Sequence, residues 1–261
     1  MRLSLYQIDA FASELFTGNP AAVVPLEFWP SDELLARIAA ENNLSETAYF
    51  RRVGDHYELR WFTPLAEVTL CGHATLAAGY VILNHLRPDL SHVHFETASG
   101  RLDVYRDQDL LAMDFPARTC DLIPHAEGLS EALGVEIDEL YQTRDDYMAV
   151  LRHRDQVLAL EPNLYAIKRL ECRGLIVTAP GDAHCDFVSR FFGPAVGVDE
   201  DPVTGSAHCS LAPYWADRLH KKNLVGRQLS RRGGEVHCRV KGDRVILSGR
   251  AVPYLAGFID V

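Results

Sequence analysis

The sequence has no C-x-x-C pair, although six cysteines are spread along its 261 residues at positions 71, 120, 172, 185, 209 and 238. Scattered spacing in a chain this long builds no disulfide framework, so they read as reduced thiols, mostly packed as small hydrophobes. No apolar run approaches the roughly 18 residues of a membrane span. Met1 to Ala10 carries one Arg and only a short apolar stretch before Asp9, so a targeting segment is not expected. A cytoplasmic protein with no membrane partner is expected. Cations are the scarcer charge: 26 Lys and Arg against 36 Asp and Glu leave a formal net charge of -10, with no long block of either sign. Neutralising phosphates takes clustered cations, so no nucleic-acid partner is expected. Neither G-x-G-x-x-G nor G-x-x-x-x-G-K-[ST] occurs, which argues against dinucleotides and ATP. Among the eleven histidines, His92-Val93-His94 would place two imidazoles on one face of a strand. No second ligand pair follows at zinc-finger or H-E-x-x-H spacing, so neither a metal nor an organic cofactor is expected.

What remains is an ordinary globular composition, 48% hydrophobic and 24% charged, long enough for one large domain or two of roughly 130 residues. Leu3 to Ala12, Ala21 to Pro25, Ser45 to Arg51 and His56 to Thr63 read as strands, and His92 to Thr97 with Arg101 to Arg106 as a hairpin. Ser31 caps a helix that runs to Glu41 and closes at Asn42-Asn43, and Ala74 to Leu86 is an apolar helix. After a boundary at Phe115 to Arg118, strands are expected at Met148 to Leu151, Gln156 to Leu160, Leu175 to Ala179, Cys185 to Phe192, Gln228 to Arg232, Glu235 to Val240 and Arg244 to Ser248. Helices are expected at Pro162 to Leu170 and Ala207 to His220. Gly72-His73-Ala74 and Gly205-Ser206-Ala207, 133 residues apart, each end a Pro-containing loop and open a small-residue helix that reaches a Tyr. Two similar lobes explain that offset. The expectation is an α/β (α+β) chain with a first lobe at 1–116, completed by 250–261, and a second at 117–249.

The two helix starts are where chemistry is to be sought, because free amides and the macrodipole at a helix N-terminus attract an anion such as a carboxylate. Close packing alone is the other reading of Gly72 and Gly205. Glu46 shares a strand face with Ala48 and Phe50; on an apolar face it is a candidate proton shuttle, at a solvated strand edge it is nothing special. Three acids, Asp199, Glu200 and Asp201, precede the second helix start, more than capping needs. His73 is a donor, a proton relay or a structural imidazole. Cys71, just ahead of a helix start that lowers thiol pKa, is the rival nucleophile or acid.

Taken in order, Asp9-Ala10-Phe11, Gly18-Asn19-Pro20-Ala21-Ala22-Val23-Val24, Asn43-Leu44-Ser45-Glu46-Thr47-Ala48, Arg60-Trp61-Phe62-Thr63-Pro64 with Glu67, Cys71-Gly72-His73-Ala74-Thr75-Leu76 and Asp201-Pro202-Val203-Thr204-Gly205-Ser206-Ala207 resemble the successive motifs of the PhzF-like family, named for the isomerase of phenazine biosynthesis. The resemblance spans almost the whole chain. It implies a diaminopimelate epimerase-like fold of two pseudo-equivalent lobes, each a curved mixed sheet around a central helix, with the active site in the cleft between them. It also implies a cofactor-independent isomerase and a homodimer. Carried over by motif, Glu46 is the acid/base that moves a proton between carbons of a small amino or hydroxy carboxylic acid. His73, Asp201 and Ser206 match the polar residues around the substrate, and the amides near Gly72 and Gly205 its carboxylate site. Related racemases and epimerases use two opposed cysteines. Here Cys71 sits near the first place, but Val203 stands in the loop of the second, so a cysteine-dependent racemase lacks half its machinery. That alternative, and a non-catalytic ligand-binding protein on the same fold, stay open at this point.

Overall fold

A computed structural model covers Met1–Val261. The chain forms two compact units, residues 1–114 with 248–261, and residues 115–247. The first unit contains β1 (Arg2–Ala10), β2 (Asn19–Leu26), α1 (Asp32–Asn42), β3 (Glu46–Val53), β4 (His56–Phe62), the two-residue β5 (Glu67–Val68), α2 (Gly72–Val81), β6 (His92–Thr97) and β7 (Gly100–Asp107). It leads into β8 (Leu110–Pro116). The second contains β9 (Asp121–Ile123), α3 (Leu129–Leu133), β10 (Glu139–Gln142), β11 (Asp146–Val150), α4 (Arg154–Leu158), α5 (Leu164–Lys168), β12 (Gly174–Asp182), β13 (Cys185–Phe192), α6 (Gly205–Leu219), β14 (Asn223–Gln228) and β15 (Gly234–Lys241). β16 (Arg244–Gly249) then returns the chain to the first unit, where β17 (Ala251–Asp260) pairs antiparallel along all of β1.

The fold is mixed α/β, with few helices and curved mixed sheets, and both units follow one connectivity. An antiparallel pair, β1 with β2 or β10 with β11, is followed by a helical crossover to a parallel strand, β3 or β12. A hairpin to β4 or β13 comes next, then a second crossover, through α2 or α6, to the parallel strands β6 or β14. Another hairpin, to β7 or β15, follows. Crossovers keep these strands covered on both faces, which is why Ala21 to Val24 and Leu175 to Val177 are fully buried and read as continuous apolar runs.

The crossover helices are the cores of their units. In α2 eight of ten residues are buried, from His73 to Gly79 and Val81; a helix apolar on every side has to be internal. Gly79 is what lets it approach the sheet, since a Cβ there would lie 2.6 Å from Val104 Cγ1 on β7. A π-helical turn, Ile82–Leu86, extends it. α6 buries Ala207, His208, Leu211, Ala212 and Trp215. The Ser31 cap is in place, its hydroxyl accepting from the Leu34 amide, and α1 closes at Asn43 in the left-handed region.

Three expected elements differ. Gln156 to Leu160 is not a strand. The Gln156 side chain accepts from the His153 amide and starts the short helix α4, which buries Val157. Gln228 to Arg232 is only the end of β14 and a turn, because Ser230 bonds the Pro202 carbonyl and Gly233 takes a positive φ. The helix expected from Pro162 to Leu170 shrinks to α5, capped by the Asn163 side chain.

Candidate active site

In the first unit, three strand and helix starts meet. Asn19 opens β2, Glu46 opens β3 and Gly72 opens α2. Glu46 Oε2 lies 3.1 Å from His73 Nε2, with the two side chains 17% and 7% exposed. The approach is misaligned for a hydrogen bond, and neither buried atom has another partner. The other edge of the imidazole is occupied: Nδ1 is 3.2 Å from Asn19 Nδ2 and 3.5 Å from Cys71 Sγ. Asn19 Oδ1 accepts from the Ser45 hydroxyl at 3.1 Å, which turns the Asn19 amide group toward His73 as a donor. In the neutral ring Nδ1 then accepts, and the proton sits on Nε2, at the edge that faces Glu46. Burial lowers the imidazole pKa, but its neighbours Cys71 and Glu46 outweigh it and hold His73 well above the ordinary histidine range. Burial, reinforced by Glu46, pushes the Cys71 thiol up to about 11. The helix start beside this group carries no side-chain cap.

β3 is covered on both faces, with Thr47, Ala48, Tyr49 and Phe50 all buried, so Glu46 stands at the mouth of a buried strand rather than on a single apolar face. Glu46, Cys71 and His73 each bring a metal-ligating atom within 4.8 Å of the others. Glu46 and Cys71, however, approach opposite ring nitrogens of His73. One ion on one nitrogen cannot take both in their present orientation, and the thiol would first have to lose a strongly held proton.

In the second unit Asp201 lies on the loop into α6, and Gly205 and Ser206 are the first two residues of that helix. This helix too starts without a side-chain cap. Thr204 donates its hydroxyl to Asp201 at 2.6 Å and its amide to Gln228 Oε1 at 2.9 Å. Gln228 Nε2 donates to the Asp201 carbonyl at 2.7 Å. Ser206 Oγ accepts from Arg173 at 3.1 Å, and Arg173 grips the buried Asp146 carboxylate through two bonds of 2.8 and 2.5 Å. One turn into α6, His208 donates Nδ1–H to the Thr204 carbonyl at 2.8 Å; its buried Nε2 has no partner. Burial takes its pKa down to about 4. Val203 is fully buried.

Glu46, Cys71, Gly72 and His73 thus form one cluster, and Asp201, Gly205 and Ser206 another. Sequence reasoning missed Asn19 as a partner of His73, although it sits in the Gly18-Asn19-Pro20 motif. It also missed Arg173, Asp146 and Gln228. Arg173 and Asp146 are 27 residues apart and both flank strands, and nothing in the one-dimensional pattern pairs them.

The family model of phenazine biosynthesis-like proteins, PhzC-PhzF, matches residues 8–257. An uncharacterized isomerase of Pseudomonas aeruginosa is 51% identical over 261 residues, the full length of both chains. The crystal structure of a PhzF family protein from Enterococcus faecalis superposes with a TM-score of 0.97 at 44% identity, covering all of both chains. A hydroxyproline epimerase from Agrobacterium vitis shares the fold alone, with a TM-score of 0.69 at 11% identity, over 99% of this chain and 91% of that one. Fold and full-length likeness define an enzyme of the isomerase class. Within it, the chain belongs to the PhzC-PhzF family.

Proposed function

We propose that the chain is a cofactor-independent isomerase that moves a proton on a small amino or hydroxy carboxylic acid, with Glu46 as the acid/base. The supporting observation is the Glu46–His73 contact: a mostly buried carboxylate at 3.1 Å from an imidazole, with no other partner for the facing atoms. A buried carboxylate oxygen without a donor is costly unless a ligand completes it. In this reading Glu46 takes a proton from one carbon of the substrate and returns it to another, so nothing is consumed. His73, fixed by Asn19, presents Nε2–H to the developing negative charge, and the uncapped amides at Gly72 hold the substrate carboxylate. Asp201 is assigned to the catalytic group with Glu46 and His73, and Gly205 and Ser206 to substrate binding, on the same logic of an uncapped helix start with side chains held in place. The thiol route is less well supported, because a Cys71 thiol pushed up to about 11 is protonated at neutral pH and makes a poor base. A homodimer is part of the proposal, supported by the exposed Tyr254, Leu255 and Phe258 on β17 and checked by sedimentation equilibrium.

The direct test is solvent-deuterium exchange into a panel of small amino and hydroxy acids, read by NMR, since it registers proton abstraction without net product. Exchange by the wild type, absent from Glu46→Gln, is the expected result. Near-normal exchange by Glu46→Gln beside a dead Cys71→Ser would transfer the mechanism to the thiol.

A further inference from the structure

Away from these clusters, on the outer face of the β6–β7 hairpin, His92 Nε2 lies 3.0 Å and His94 Nδ1 2.9 Å from the same oxygen, Asp103 Oδ1. We propose that His92, His94 and Asp103 form a surface binding site for a borderline divalent cation of the zinc type. The backbone builds it: His92 and His94 are two apart on one strand and so share a face, while Asp103 is the direct cross-strand partner of His94 in the hairpin register. Between them Val93 points the other way and is buried with Val104 and Phe95, which fixes the face that the imidazoles take.

The distances suit an ion. Tetrahedral zinc with bonds of about 2.0–2.1 Å sets its ligand atoms ~3.3 Å apart, so two ring nitrogens already near 3 Å from one carboxylate oxygen need only small rotations. All three donor atoms lie within 4.8 Å of one another. In contrast to His73, whose two nitrogens face different partners, each ring here turns one nitrogen toward a common point. The side chains are 46%, 24% and 32% exposed, which leaves an entry path and room for water in the remaining position. One cation competes: Arg101 Nε donates to Asp103 Oδ2 at 3.1 Å and to Oδ1 at 3.2 Å, and its Nη2 donates to Oδ1 at 3.2 Å. It is an exposed pair worth little and readily displaced by a divalent ion. Asp55, at the turn into β4 and 3.5 Å from His56, is near enough to interact with His94 and adds an acid rather than a further cation.

The test is titration of the full-length, tag-free protein, first stripped with chelator, using Zn(II) for affinity and Co(II) for its absorption spectrum. One equivalent should bind, His94→Ala and Asp103→Asn should each weaken it by about tenfold or more, and Co(II) should show d–d bands with no thiolate charge transfer. Zn(II) should also raise the melting temperature of the wild type and not that of His94→Ala. These positions are solvent-facing, and circular dichroism of the unloaded variants verifies that they fold. Wild-type affinity no better than that of a His92→Ala/His94→Ala double variant, or a thiolate band that vanishes in Cys71→Ser, would overturn the assignment.

Discussion

The same corner occurs twice in this chain with different chemistry. In the first unit the residue opening β3 reaches the second residue of α2, and the pair is Glu46 with His73. At the equivalent place in the second unit the residue just before β12 reaches the second residue of α6, and the pair is Arg173 with Ser206. The opening residues of the neighbouring strands differ likewise: Asn19 donates to His73, whereas Asp146 neutralises Arg173. One corner holds an acid and an imidazole with unmatched atoms, and the other a saturated ion pair with Gln228 stitching its loop. Unmatched buried groups raise the energy of the folded state and are kept where a ligand completes them, while matched ones hold a backbone in shape. Under the proposed function the first corner is the place of proton transfer, and the second a rigid binding platform.

The largest expected effect breaks that contrast at its acid. Glu46→Gln keeps the shape, removes the titrating oxygen and should cut turnover by roughly 10²- to 10⁴-fold with the melting temperature little changed; a loss under tenfold would put the acid elsewhere. Arg173→Met tests the opposite corner. It strands Asp146, 1% exposed, without its cation, and since Arg173 itself is partly exposed the cost should be at the low end of that for a broken buried pair, about 3 kcal/mol in urea unfolding. An Arg173→Met protein as stable as wild type would mean that the platform is not held this way.

Acid sharpens the comparison further. His208, neutral and buried, has its folded pKa near 4, against about 6.5 unfolded. Below 6.5 the unfolded chain therefore binds the extra proton. The contribution of His208 is complete above pH ~6.5 and is lost as the pH falls toward 4, about 3 kcal/mol in all. A His208→Gln variant should lack that part of the acid sensitivity. If wild type and variant lose stability in parallel from pH 7 to 4, His208 is not buried in its neutral form. The smallest effect is expected at Cys71. With a thiol held at about 11 and only 6% of the residue exposed, Cys71→Ser should change turnover by a few-fold at most, and alkylation at neutral pH should be slow.

Much of the frame was legible because it depends on local pattern. β13 and β6 fall where alternation and β-branched content place them, and α1 runs between the cap and the left-handed Asn that its sequence announces. The failures have a common cause. Gln156 to Leu160 carries four consecutive apolar residues, Val157 to Leu160, a run that suits either period, and the choice went to a helix through the bond that the Gln156 side chain accepts from the His153 amide. The strand Asn223–Gln228 went unnoticed because Gly226 weakens its pattern; it is there because Phe187 packs where a Cβ would be, 2.4 Å away. Glu46, His73 and Asp201 could be nominated from motifs, yet their partners could not.

Order along the chain, strand and helix periods, and the placement of small residues at two helix starts were determined by the sequence alone, since each depends on neighbours within a few residues. Which atoms face which was decided only by the tertiary structure. Asn19, Glu46 and His73 are separated by up to 54 residues, and their contact distances follow from how parallel crossovers align strand starts with a helix start. The same geometry set the protonation logic: desolvation and a neighbouring charge act over a few ångströms in space, so a thiol near a helix start, which sequence suggests is acidic, ends with its proton held fast beside a buried carboxylate.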